Sequence, residues 1–82
     1  MSEITLEDLL SLVALQLGAQ RVRPEHRLLE DLRAESADLL NLMVAVEDRF
    51  KVRIDEIEIP ELSTVADLYQ LIRERAREPG SP

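Results

Sequence analysis

Glu35-Ser36-Ala37-Asp38 sets a hydroxyl among carboxylates where an amphipathic helix begins. A serine there lies at the positive end of the helix dipole, beside backbone N–H groups without an intrahelical acceptor. A phosphate ester formed on Ser36 is favoured by both. Nucleophilic catalysis lacks its companions, because the chain has no Gly-x-Ser-x-Gly turn and no base paired with Ser36. The single histidine, His26, stands in a polar stretch with no orienting constellation around it. Cysteine is absent, so disulfides and thiolate metal sites are excluded and any thiol needed for chemistry must arrive on a cofactor. The acids between 55 and 61 lack the glycine and ligand spacing of a calcium loop. No catalytic residue and no metal site are expected. Ser36 reads as an acceptor of a modification or, more plainly, as a helix cap, a role serine fills well.

The helix that positions Ser36 can be read by counting. Leu39, Leu42, Met43, Val46 and Phe50 follow the i, i+3, i+4, i+7, i+11 spacing and form one apolar stripe, the core face. Ala37, Asn41, Val44 and Asp48 lie opposite, flanked by Leu40 and Glu47 on one side and by Asp38 and Ala45 on the other. Leu40 and Val44 among carboxylates suit a docking face for basic partners, although single exposed apolar residues are ordinary on any surface.

Charge points the same way. The formal net charge is −7, and residues 30–61 alone hold ten Asp or Glu against four Lys or Arg. Acid concentrated around the Ser36 helix argues against nucleic acid and anionic membrane surfaces and for partners carrying Lys or Arg patches. No apolar run approaches membrane-spanning length and no signal-peptide pattern opens the chain, so a cytoplasmic, monomeric protein is expected.

The run Leu29 to Leu42 (Leu-Glu-Asp-Leu-Arg-Ala-Glu-Ser-Ala-Asp-Leu-Leu-Asn-Leu) resembles the acyl carrier proteins, whose Asp-Ser-Leu signature carries a phosphopantetheine arm on its serine. The likeness continues through Val46-Glu-Asp-Arg-Phe50, Ile54 and Leu62-Ser-Thr-Val65, and covers roughly residues 4–75. It implies an all-α fold, a small four-helix bundle of the acyl-carrier type with a long first loop, three longer helices and a short third one. It implies 4′-phosphopantetheine, taken from coenzyme A by a phosphopantetheinyl transferase, on Ser36, with acyl groups held on the arm's thiol as thioesters for fatty acid or related polyketide biosynthesis. Aminoacyl or peptidyl cargo is the alternative, and an unmodified adaptor with the same bundle a further one. Asp38, Leu40, Asn41, Val44, Glu47 and Asp48 match the family's partner-recognition helix. Glu35 and Ala37, flanking the serine, join that surface, which would meet acyl-loading and synthase enzymes through their basic patches. Leu39, Leu42, Met43, Val46, Ile54, Leu62 and Leu68 become candidates to line an internal acyl pocket.

Four positions depart from the family pattern. Glu35 stands for Asp, Ala37 for a bulkier Leu, Asn41 for a frequent acid, and Arg33 for a Gly, so Arg33 is strained if its position needs positive φ. Charge reversal at Glu47 and Asp48 is expected to leave the fold intact.

The rest of the chain forms one domain over 1–77 with a disordered tail at 78–82. Thr5 with Asp8 opens a first helix over 6–17 that Gly18 stops, with Leu6, Leu9, Leu10, Val13 and Leu17 buried. Residues 18–34 make a long basic connection, pinned to the core by Leu28, Leu29 and Leu32. Val52, Ile54, Ile57 and Ile59 alternate as a strand would, while the resemblance implies the short helix there. Thr64 with Asp67 opens the last helix, with Val65, Leu68, Tyr69, Leu71 and Ile72 on its apolar side.

Overall fold

In the computed structural model the described residues include three α-helices: α1 (Leu6–Leu17), α2 (Ser36–Phe50) and α3 (Val65–Ala76). The structure describes residues 4–54, 58 and 64–76. Among them there is no strand, only an isolated antiparallel bridge between Arg27 and Thr64. The first four N–H groups of a helix need acceptors from outside it, and each helix begins where a side chain supplies one. Thr5 Oγ1 accepts from the Asp8 N–H at 3.1 Å, and Gly18, in the left-handed conformation (φ 68°), ends α1 by donating to the Ala14 carbonyl. At α3 the capping is reciprocal, with the Asp67 N–H donating to Thr64 Oγ1 and the Thr64 N–H to Asp67 Oδ2, both at 3.1 Å.

The core is aliphatic throughout. Leu9 and Val13 of α1, Leu42 and Val46 of α2, and Val65, Leu68 and Ile72 of α3 are buried together with Leu28, Val52 and Ile54 from the connections. Each such side chain stabilises the fold by roughly 1.5–3 kcal/mol relative to exposure. No buried residue among those described is polar. The predicted stripe of α1 narrows to Leu9 and Val13, since Leu6, Leu10 and Leu17 are only half-buried at its edges. Phe50 and Tyr69 also pack on the rim, and the Tyr69 hydroxyl donates to the Ile4 carbonyl at 3.2 Å.

The long connection between α1 and α2 is a fastened element. His26 and Pro24 offer their carbonyls to the Val65 and Ala66 N–H groups at 3.0 and 2.9 Å, so the loop completes the cap of α3. Arg27 then closes a turn, its carbonyl accepting from both the Asp31 and Leu32 N–H groups while its own N–H donates to Asp31 Oδ2 at 2.8 Å. That turn drives Leu28 into the core (1 % exposed) and leaves Leu32 packed against it. Leu29, expected to pin the loop, instead projects outward and is 49 % exposed, because neighbours in a tight turn cannot share one face.

After α2 the chain reverses at Lys51 (φ 58°), whose N–H donates to the Glu47 carbonyl, and Val52 and Ile54 turn inward around exposed Arg53. Val52 to Ile54 are not helical. The short helix expected over 52–60, and the tail expected at 78–82, otherwise fall outside the described residues apart from Glu58.

Candidate functional site: the start of α2 and the cavity behind it

The approach to α2 is bent sharply. Arg33 has φ 56°, so the strain anticipated for a side chain there is real, a cost of about 1–2 kcal/mol against an ordinary backbone. Ala34 follows, buried, its N–H held by the Leu28 carbonyl at 3.0 Å. Glu35 is the cap residue, with extended geometry (φ −99°, ψ 173°), and its N–H donates to Asp38 Oδ2 at 3.0 Å. Ser36 is therefore the first helical residue and does not occupy the capping position that the plain reading assigns it.

Glu35 and Ala37, on either side of Ser36, are exposed. No backbone carbonyl of the described residues accepts from the Ala37 N–H. A helix start that is open to solvent, with the Asp38 carboxylate turned back onto the Glu35 N–H, suits an anionic ester on its first residue. The exposed Glu35 carboxylate opposes such an ester electrostatically, although water and salt weaken that repulsion.

The outer face of α2 stays outside. Leu40 (48 % exposed) and Val44 (65 %) stand beside exposed Ala37, Asn41 and Asp48. Asp38 and Glu47 are half-buried and have structural bonds. Glu47 Oε2 accepts from the Ile54 N–H at 3.0 Å, so Glu47 is not the plain surface residue that the charge-reversal expectation assumes, while Asp48 is exposed.

On the inner face, Leu39, Leu42, Met43, Val46, Ile54 and Leu68 line one cavity of about 10 Å³, with Leu28 as a seventh lining residue. Leu62 lies outside the described residues. Sequence reasoning read Leu28 as a loop anchor, and the only signal for its second role was an apolar pair inside a basic connection. The lining has no polar side chain, and the volume is at the lower limit for a single water, so the cavity is a narrow seam in this conformation.

These features define a small helical carrier fold, with a serine at an open helix start and an apolar seam behind it. The family described as "Phosphopantetheine attachment site" matches residues 7–72. The acyl carrier protein of Helicobacter hepaticus is 37 % identical over 70 residues, 83 % of this chain and 92 % of that one. That of Thermotoga maritima is 33 % identical over 67 residues, 79 % and 83 % of the two chains. Among solved structures, the holo acyl carrier protein of Geobacter metallireducens superposes with a TM-score of 0.73 at 22 % identity, covering 87 % of this chain and 84 % of that one. The Thermotoga maritima crystal structure gives a TM-score of 0.69 at 24 % identity over 85 % and 84 %. The chain belongs to the acyl carrier protein family. It is a carrier and not a catalyst, and as such bears covalent 4′-phosphopantetheine and is served by a phosphopantetheinyl transferase and acyl-handling enzymes. Among the described residues no helix is long and apolar enough to cross a membrane.

Proposed function

We propose that Ser36 is the attachment residue and that the chain tethers acyl intermediates for fatty acid or related polyketide biosynthesis. The observation that carries this is the division of labour at the start of α2. Glu35 and Asp38 make the cap, so the fold has no capping need for a serine at 36. A phosphate ester there gains the helix dipole. The bound arm supplies a thiol on which the acyl group rides as a thioester, and tethering raises its effective concentration at successive enzymes.

The chain's own residues contribute the rest. Leu28, Leu39, Leu42, Met43, Val46, Ile54 and Leu68 form the wall against which an aliphatic cargo packs once the seam widens. Their wholly apolar character favours a fatty or polyketide chain over an aminoacyl one, whose ammonium would be left unpaired. Leu40, Asn41, Val44 and Asp48 present the surface on which Lys- and Arg-bearing enzymes dock, the protein working as a cytoplasmic monomer.

The test is direct. Incubation with coenzyme A, Mg²⁺ and a broad-range transferase should add one phosphopantetheine mass to the intact chain, and Ser36→Ala should abolish the gain. A competent transferase that adds nothing to the unsubstituted chain would replace this reading with the unmodified adaptor.

A further inference from the structure

One wall of the cavity is held by a single peptide group gripped from two sides. The Ile54 N–H donates to Glu47 Oε2 at 3.0 Å, and the carbonyl of the same peptide, that of Arg53, accepts from the Arg75 guanidinium at 3.1 Å. Glu47 reaches in from α2 and Arg75 from α3, and Arg75 is also paired with Glu58. The Glu47 backbone adds a second link, its carbonyl accepting from the Lys51 N–H at 2.9 Å where the chain reverses.

The other lining residues are fixed differently. Leu39, Leu42, Met43 and Val46 ride on α2 and Leu68 on α3, each inside a helical hydrogen-bond ladder. Leu28 sits in the turn whose carbonyls and N–H groups are tied within the loop and to α3. Ile54 is the lining residue whose own N–H depends on a side-chain carboxylate. Bonds of that kind, within reach of water and of other charges, are the ones that open first. A cavity of about 10 Å³ holds no chain, so some part of its wall must yield before cargo enters.

We infer that Glu47 is a positioning residue that sets access to the cavity. Its bond to the 53–54 peptide keeps Ile54 in the wall, and a cationic side chain of a docking enzyme that takes this carboxylate releases Ile54. Glu47 is only half-buried, so its carboxylate stays within reach of a Lys or Arg brought to α2. Docking and opening are then one coupled equilibrium, and by reciprocity a filled cavity raises affinity for the cationic partner. The identity of the cargo rests on the carrier reading, whereas the latch belongs to the unmodified chain.

The test therefore uses the unmodified, isotopically labelled chain, with two readouts: amide hydrogen exchange at Ile54 and xenon-induced shifts of the Ile54, Leu28 and Leu68 methyls. Glu47→Ala should speed Ile54 exchange about tenfold and enlarge the xenon response, with the Leu9 and Val13 amides changing less than about twofold. Glu47→Gln retains a side-chain carbonyl acceptor and should restore both readouts. A tetra-arginine peptide at low salt should accelerate Ile54 exchange in the unsubstituted chain but not in Glu47→Gln. If Glu47→Ala does not fold, Arg75→Gln frees the other side of the same peptide and should give the same local signature. Unchanged Ile54 exchange in a folded variant, acceleration spread evenly over the core, or indifference of the unsubstituted chain to the peptide would each overturn the inference. Neither readout uses the arm, so failure of Ser36 to be modified would leave this result standing, and the reverse also holds.

Discussion

The starts of α2 and α3 face the same physical problem and solve it differently. At α3 the Val65 and Ala66 N–H groups donate to the His26 and Pro24 carbonyls, and Thr64 and Asp67 cap each other reciprocally. At α2 the chain arrives through a left-handed Arg33, Glu35 and Asp38 cap each other, and no backbone carbonyl of the described residues accepts from the Ala37 N–H. One end is saturated and serves stability. The other is capped by side chains alone among the described residues, which leaves the Ala37 N–H without a described backbone acceptor and suits an anion. The contrast teaches that a helix terminus becomes a site when the fold withholds the contacts it supplies elsewhere.

The sharpest attack on that contrast is Leu28→Ala. Leu28 anchors the loop that closes α3 and lines the cavity, so its truncation should destabilise by about 2–5 kcal/mol, read by chemical denaturation. A loss below about 1 kcal/mol would mean that the loop is not a structural part of the α3 start. Next in size is Thr64→Ala, which should cost about 1 kcal/mol and lower Tm by roughly 4–8 °C without reducing phosphopantetheine transfer. Its counterpart Ser36→Ala should eliminate transfer yet move stability by no more than about 0.5 kcal/mol. A large Tm drop in Ser36→Ala would make the two helix starts alike. Arg33→Gly relieves about 1–2 kcal/mol of left-handed strain while glycine's extra unfolded freedom returns about 0.5–1, a net gain near 0.5 kcal/mol in thermal unfolding. Smallest of all in stability is Asp48→Lys, within about 0.5 kcal/mol of the unsubstituted chain, but it should weaken loading by enzymes with basic patches. Unaltered loading kinetics would remove the outer face of α2 from partner recognition.

Exposed ion pairs do not enter this comparison. Arg27–Glu30 and Arg49–Asp8 are largely solvated, the latter at 3.9 Å, and pairs of that kind contribute little.

Much of the site was legible before any coordinates. Thr5 and Gly18 bracket α1 at the residues observed, because capping and the left-handed stop are local chemistry. The stripe on α2 predicted an inner face, and its Leu39, Leu42, Met43 and Val46 do line the cavity. A side chain at Arg33, where the resembled family has glycine, marked the position as strained if its φ were positive, and its φ is 56°. Leu29 was misjudged, since adjacent leucines in an aperiodic loop give no clue to which one a turn will send inward. Glu47 was misread for a related reason. Its helical position marks it as surface, and nothing in the residue order shows that the chain doubles back to place the Ile54 N–H against its carboxylate.

The amino-acid order alone determined the three described helices, the caps of α1 and α3, the acidic surface and the serine at the head of α2, all properties set by neighbours within about a turn of one another. Only the tertiary structure decided that Glu35 and not Ser36 is the cap, that Leu28 joins the cavity wall, and that Glu47 and Arg75 grip one peptide between them. Those outcomes depend on where separate segments meet, and burial and hydrogen bonding across such meetings are fixed by the whole packed core, which no local pattern encodes.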